Sequence, residues 1–238
     1  RFLNGEWTHV YGADGMEAAV DPSDPFTVYA SYQQGGLMRS YDRGVNWDFI
    51  GDEVPDDGPW VTPFAIDPNN TDLIVAGYTN VWIGEVQGTF WNMASDWNSQ
   101  TTVRCLAIAP SDGNVIYVGR NDLVVRSDFG GGFWQNIDVG LPNLTPTSFA
   151  VDPFDPLHVW ISFSGTSNGS KVYESFTGGD NWTNRSIGLP NVPVNSLALN
   201  PGAANGIYAG TDLGVFYRDD LLGVWEPFGE SMPNVIVT

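Results

Sequence analysis

Apolar and polar positions alternate along this chain in short runs broken by turn residues, with no long stretch of helical spacing and no run of about 18 apolar residues. The segment 17–51 sets the pattern. Glu17-Ala18-Ala19-Val20 is short and small-sided, suited to a crowded innermost strand, and Asp21-Pro22-Ser23-Asp24-Pro25 turns the chain. Thr27-Val28-Tyr29-Ala30-Ser31-Tyr32 is β-branched and aromatic and predicts a second strand. Leu37-Met38-Arg39-Ser40 predicts a third, Asp42-Arg43-Gly44 turns again, and Val45-Asn46-Trp47-Asp48-Phe49-Ile50 alternates as an outer fourth strand. Segments 73–77, 115–119, 158–162 and 206–210 fall where a second strand should recur. Four antiparallel strands joined by tight turns make one propeller blade, so the predicted fold is an all-β propeller.

The repeat can be counted from its corners: Val20-Asp21-Pro22, Ile66-Asp67-Pro68, Ile108-Ala109-Pro110, Val151-Asp152-Pro153 and Leu199-Asn200-Pro201, separated by 46, 42, 43 and 48 positions. Each is answered by a tryptophan, Trp47, Trp91, Trp134, Trp182 and Trp225. A period in the forties fits one four-stranded sheet per repeat, and since a single repeat cannot bury its own faces, the core must come from stacked neighbours. Residues 1–238 are expected to form one propeller region with blades at 17–60, 61–102, 103–147, 148–195 and 196–230. Residues 1–16, with Trp7, read as the tail of a preceding blade, and 231–238, with Val235-Ile236-Val237-Thr238, as the start of a further one.

Ser40-Tyr41-Asp42-Arg43-Gly44-Val45-Asn46-Trp47 matches Ser-x-Asp-x-Gly-x-x-Trp. Ser127, Gly131 and Trp134 keep that spacing with Phe129 in place of Asp; Ser175, Gly179 and Trp182 keep it with Thr177 there; Gly88 and Trp91, and Asp220 and Trp225, are partial copies. With these motifs the chain resembles the Asp-box (BNR-repeat) β-propellers, the group that includes sialidases, xyloglucanase-type glycoside hydrolases, sortilin-like receptors and photosystem-assembly propellers. The resemblance implies part of a seven-bladed propeller from a secreted bacterial multidomain protein, with other domains of the same longer chain as neighbours. The box reads as a turn device: Ser or Asp accepts backbone N–H groups, Gly supplies a permissive backbone, and Trp plugs the gap to the next strand.

Composition sharpens the functional classes. With 28 acidic against 9 basic residues the formal charge is −19, which repels nucleic acid and anionic membranes and favours cations, basic partners or neutral polysaccharides. No membrane insertion is expected. Cys105, the sole cysteine, sits in an apolar run and reads as packing. His158 heads a second strand and reads as structural, and His9 has no second ligand nearby in sequence, so no metal site is assigned; calcium is the one cofactor the acidic loops leave open. Against a sialidase with its three-arginine clamp, most arginines occupy other places, Arg39 and Arg126 before box serines and Arg43 inside a box, and the Phe/Tyr-Arg-Ile-Pro signature is missing; no phosphate loop, zinc motif or nucleophile elbow occurs.

If the strands run outward in order, the corners and boxes share one face, and the opposite face carries the second-to-third and fourth-to-first loops. On that second face lie Asp14, Glu17, Asp52, Glu53, Asp56, Asp57, Asp122 and Asp212, with Trp60 and Tyr78 as aromatic platforms. The 51–60 loop is the longest and most charged. These residues suit an extracellular ligand-binding or adhesion scaffold for a glycan or protein, secreted or at the cell surface. The alternative is a polysaccharide-active hydrolase. Gly12-Ala13-Asp14-Gly15 loosely resembles the segment where xyloglucanase-type enzymes place one catalytic carboxylate, making Asp14 the catalytic candidate, while Asp52, Asp122 or Asp212 would have to supply the second acid.

Overall fold

A computed structural model describes residues 2–3, 5–12, 14–229 and 235–238. Arg1, Asn4 and Ala13 of the expected leading tail, Glu230 at the end of the expected blade 196–230, and 231–234 at the expected start of a further blade lie outside the described residues. The chain forms two compact units, 1–103 with 129–133, and 104–128 with 134–238.

In the first unit a short hairpin, β1 (Phe2–Leu3) and β2 (Glu6–Trp7), precedes two four-stranded sheets. One comprises β3 (Gly15–Val20), β4 (Val28–Tyr32), β5 (Gly36–Ser40) and β6 (Asp48–Phe49); the other β7 (Phe64–Ile66), β8 (Ile74–Gly77), β9 (Val81–Glu85) and β10 (Phe90–Met93). A third sheet follows with β11 (Val103–Ala109), β12 (Asp112–Arg120), β13 (Leu123–Ser127) and β14 (Gln135–Asn136). The second unit continues with β15 (Pro146–Val151), β16 (Val159–Phe163), β17 (Val172–Ser175) and β18 (Thr183–Asn184), then β19 (Val194–Asn200), β20 (Gly206–Thr211), β21 (Gly214–Arg218) and β22 (Glu226–Pro227). Every sheet is an antiparallel meander in chain order. First strands approach one another, β3 beside β7 and β15 beside β19, as innermost strands must.

The fourth strand of the first sheet is shorter than the alternation at 45–50 predicts: only Asp48 and Phe49 pair, opposite Arg39 and Met38. The box turn consumes the preceding residues, and a short outer strand leaves little unpaired edge.

Alternation on the middle strands builds the cores. Tyr29, Leu37, Ile74, Ala76 and Trp82 are buried together in the first unit. In the second, Tyr117, Val159, Ile161 and Phe163 form one cluster, and Trp160, Ile207, Ala209 and Trp225 another. Each fully buried aliphatic side chain contributes roughly 1.5–3 kcal/mol relative to exposure. Cys105 belongs to the first of these two clusters, and burial pushes its thiol pKa up, consistent with packing.

The corners work through their carboxylates. Asp21 accepts Ser23 N at 2.8 Å and Asp24 N at 3.2 Å, Asp152 accepts Phe154 N at 2.7 Å and Asp155 N at 3.1 Å, and Asn200 accepts Gly202 N at 3.1 Å. Where Ala109 replaces Asp, only residues 110–111 separate β11 from β12, and Asp112 accepts Asn114 N at 3.0 Å instead.

The box turns tie neighbouring sheets. Ser40 Oγ accepts Gly44 N at 2.8 Å, and Asp42 Oδ1 accepts Val45 N at 2.9 Å and Asn46 N at 2.8 Å. In the fourth sheet Ser175 Oγ accepts Gly179 N at 2.8 Å while Thr177 Oγ1 accepts a single backbone N–H, Asn181 N, at 3.0 Å. Gly44 and Gly179 adopt φ of 84° and 96°, which Gly tolerates without cost. The tryptophans reach across: Trp47 Nε1 donates to Val10 O at 3.1 Å, Trp91 to Ile50 O at 2.5 Å, Trp182 to Ile137 O at 2.7 Å and Trp225 to Arg185 O at 2.6 Å. Arginines before the box serine do likewise, Arg39 donating to Gln87 O at 2.8 Å and Arg126 to Gly178 O at 2.6 Å.

Candidate functional site

The loop 51–60 connects β6 to β7, and its shape is imposed by one carboxylate. Asp56 accepts hydrogen bonds from Thr79 Oγ1, from Asn80 N at 2.8 Å, from Trp82 Nε1 at 3.1 Å and from Asp57 N at 3.0 Å. Burial alone would raise its pKa, but the donors from Thr79, Trp82, Asn80 and Asp57 outweigh burial and hold the carboxyl below its ordinary range. The partners are themselves braced: Asn80 Oδ1 accepts Trp97 N at 3.0 Å, and Ser95 Oγ accepts Val81 N at 2.9 Å. Asp57 O accepts Thr79 N at 3.1 Å, and Val54 and Pro59 are buried.

A ledge results, anchored inside and exposed outside. Asp52, Glu53 and Asp57 are exposed, and Trp60 presents 58% of its surface to solvent. Tyr78, expected beside Trp60 as a platform, is instead buried: its hydroxyl donates to Gly35 O at 2.8 Å and its ring packs against Gly35. Asp56 likewise spends its oxygens within the protein. Both are supports of the ledge, and Thr79, Asn80 and Trp82 join them in that role. Their sequence signal is weak because each lies at least 23 positions from Asp56.

Glu17 sits half-buried on β3, where Ser31 Oγ accepts its backbone N–H at 3.0 Å. Burial raises its carboxyl pKa, and a hydrogen bond from the Phe64 backbone only partly offsets this. Asp14 is exposed immediately before β3. A cavity of about 1140 Å³ lies along the β3–β4 face, lined by Glu17, Ser31, Tyr11, Trp7, Arg43 and Trp47 among others.

Asp122 and Asp212 belong to the second unit. Asp122 receives Arg120 Nε and Nη2 at 3.1 Å each, a bidentate pair with a buried guanidinium, and Asp212 Oδ1 accepts Asn195 Nδ2 at 2.9 Å. The second-to-third loop of the fourth sheet also contains Lys171, a residue the sequence reading did not single out. Its side chain is buried, its ammonium donates to Gly165 O, and desolvation lowers its pKa. Among the described residues no group of three or more His, Cys, Asp or Glu is arranged to hold a metal ion.

No protein-family model matches the chain. The xyloglucanase of Hypocrea jecorina (strain QM6a) is 29% identical over 129 residues, covering 47% of this chain and 15% of that enzyme. The GH74 enzyme of Niastella koreensis superposes with a TM-score of 0.71 at 18% identity, covering 90% of this chain and 38% of that one. An extracellular domain assigned to a one component system of B. thetaiotaomicron gives 0.62 at 19% identity, covering 89% and 28%. YCF48 bound to D1 peptide gives 0.62 at 13% identity, covering 90% and 66%. The chain thus spans well under half the length of the xyloglucanase and the GH74 enzyme, and what these likenesses share with its five four-stranded sheets is the fold: it is a β-propeller chain.

Proposed function

We propose that this chain is part of an extracellular, Asp-box-type propeller that binds a glycan on the 51–60 ledge. The carrying observation is Trp60, 58% exposed, on a loop fixed from beneath by Asp56 and flanked by Asp52, Glu53 and Asp57. An exposed indole on a braced backbone offers an apolar face to a sugar ring with little ordering cost, and carboxylates accept the ring's hydroxyl hydrogens. A charge of −19 favours a neutral polymer over an anionic one. Similarity to a xyloglucanase supports a plant-type polysaccharide as the first ligand to try.

Hydrolysis is the second reading, favoured by Glu17. A carboxyl whose pKa is raised by burial can hold a proton as a general acid. Catalysis would require a partner carboxylate about 5–9.5 Å away across the scissile bond, and Asp14 is the candidate.

Binding and reducing-end release, measured together against plant, algal and microbial polysaccharides, test both readings. Retention of a polysaccharide that weakens at least tenfold, about 1.4 kcal/mol, in Trp60→Ala supports the ledge. Release abolished by Glu17→Gln or Asp14→Asn supports the hydrolase. Binding unaffected by Trp60→Ala removes the ledge from consideration.

A further inference from the structure

The turn joining β4 to β5 contains two features that weaken the fold. Tyr32 and Gly36 pair across it, leaving Gln33, Gln34 and Gly35 to reverse the chain. Gln34 lies in the left-handed region at φ 61° and ψ 38°, where glycine and asparagine are at ease and a longer side chain is strained. The amide oxygen Oε1 of half-buried Gln33 is enclosed and accepts no hydrogen bond among the described residues.

The ledge rests directly on this turn. A Cβ added to Gly58 would fall 2.6 Å from Gly35 N and 2.8 Å from the Gln34 carbonyl carbon, and one added to Gly51 would fall 2.8 Å from Gly35 O. Both arms of the 51–60 loop are therefore seated against residues 34 and 35, and Trp60 stands two positions beyond Gly58. Tyr78 braces the same turn through its hydroxyl, which donates to Gly35 O at 2.8 Å. Gly35 is buried by these contacts, while the Gln34 side chain stays exposed.

Strained backbone and unmatched polar atoms gather at binding and catalytic positions. Gln34 also brings what the ledge carboxylates lack. A carboxylate accepts hydrogen bonds and donates none, so Asp52, Glu53 and Asp57 can take sugar hydroxyl hydrogens but cannot bind a ring or glycosidic oxygen. A carboxamide offers two N–H donors beside its acceptor.

Resting on the glycan reading of the ledge, we propose that Gln34 is a second contact of that site, its Nε2 donating to an oxygen of the same neutral sugar chain that covers Trp60. The strained backbone then serves to hold the amide beside the ledge, and the ligand it selects is a neutral glycan whose ether and hydroxyl oxygens can accept.

The test titrates soluble xyloglucan fragments into the intact chain and into Gln34→Gly, Gln34→Glu and Trp60→Ala, with thermal unfolding recorded for each. Glycine accepts the left-handed backbone, so Gln34→Gly is expected to unfold at the natural temperature or above it while binding about fivefold more weakly. Gln34→Glu keeps the shape and the acceptor but loses the donor, and is expected to weaken binding to a similar degree. Binding that falls in Trp60→Ala but is equal in both Gln34 variants overturns this proposal and leaves the ledge reading standing. Weak binding in Gln34→Gly with Gln34→Glu unchanged overturns the donor role. A Gln34→Gly chain whose unfolding midpoint drops together with its affinity overturns the proposal as well, because the turn is then a support alone. Absence of binding by the natural chain overturns both readings.

Discussion

Ser40 and Asp42 divide the work of one turn. Ser40 is buried and accepts two backbone N–H groups, Gly44 N at 2.8 Å and Asp42 N at 3.2 Å. Ser40→Ala strands both donors and is expected to cost about 1–3 kcal/mol in urea unfolding. Asp42 is half-buried, and hydrogen bonds from Asn46 and Ser40 hold its pKa at about 2. Because the folded value is depressed, its contribution is full above the unfolded carboxylate pKa of about 3.9 and is lost as pH falls toward 2. Asp42→Thr, imitating Thr177, should therefore keep the fold at neutral pH and flatten the acid limb of the stability curve. Asp56 differs from both in having partners outside its own turn. Asp56→Ala leaves Trp82 Nε1 and Asn80 N unpaired, which predicts a loss of about 1–3 kcal/mol and weaker glycan retention although Asp56 faces no ligand. The turn of the box was legible because Ser40 and Asp42 find their hydrogen-bond partners within four residues. The roles of Asp56 and Tyr78 were not, since each is decided by a loop from another repeat.

Among elements, the second strands were the most legible, since β-branched and aromatic runs bounded by Gly and Asp leave little alternative. The fourth strand expected at 45–50 was overestimated, because residues alternating at 45–47 are consumed by the box turn before pairing starts at Asp48. The fourth sheet contains a charged network that spacing alone does not reveal. His158 immediately precedes β16 with Nε2 3.0 Å from Glu174 Oε1 and Nδ1 3.4 Å from Asp152 Oδ2, Arg185 Nε donates to Glu174 Oε2 at 2.7 Å, and Phe176 stacks on the imidazole at 4.3 Å. Burial would lower the imidazole pKa, but Glu174 and Asp152 outweigh it and raise the value. A raised folded pKa gives stability that is complete below the unfolded value of about 6.5 and is lost as pH rises through the folded value. Unfolding free energy should thus decline as pH rises above about 6.5, and His158→Ala should abolish that decline while costing about 3 kcal/mol at pH 6. A decline that persists in His158→Ala would place the titrating group elsewhere.

For the molecule as a whole, the sequence carried the repeat, the fold class and the acidic character, because each is a property summed over many positions. It did not carry a substrate, because the ledge consists of side chains whose exposure depends on packing from neighbouring repeats. The net charge of −19 separates the remaining partners. A neutral glycan held by Trp60 should bind equally at 0.05 and 0.5 M salt, whereas a basic protein partner should lose most of its affinity over that range as screening shortens to within about 5 Å. The decisive measurement is calorimetric titration of soluble xyloglucan fragments into the intact chain and into Trp60→Ala, with the thermal unfolding of both recorded alongside. The account predicts saturable, salt-insensitive binding that falls at least tenfold in the variant while the unfolding midpoint stays within a degree or two. Binding of equal strength in both chains would contradict it, as would no heat with either.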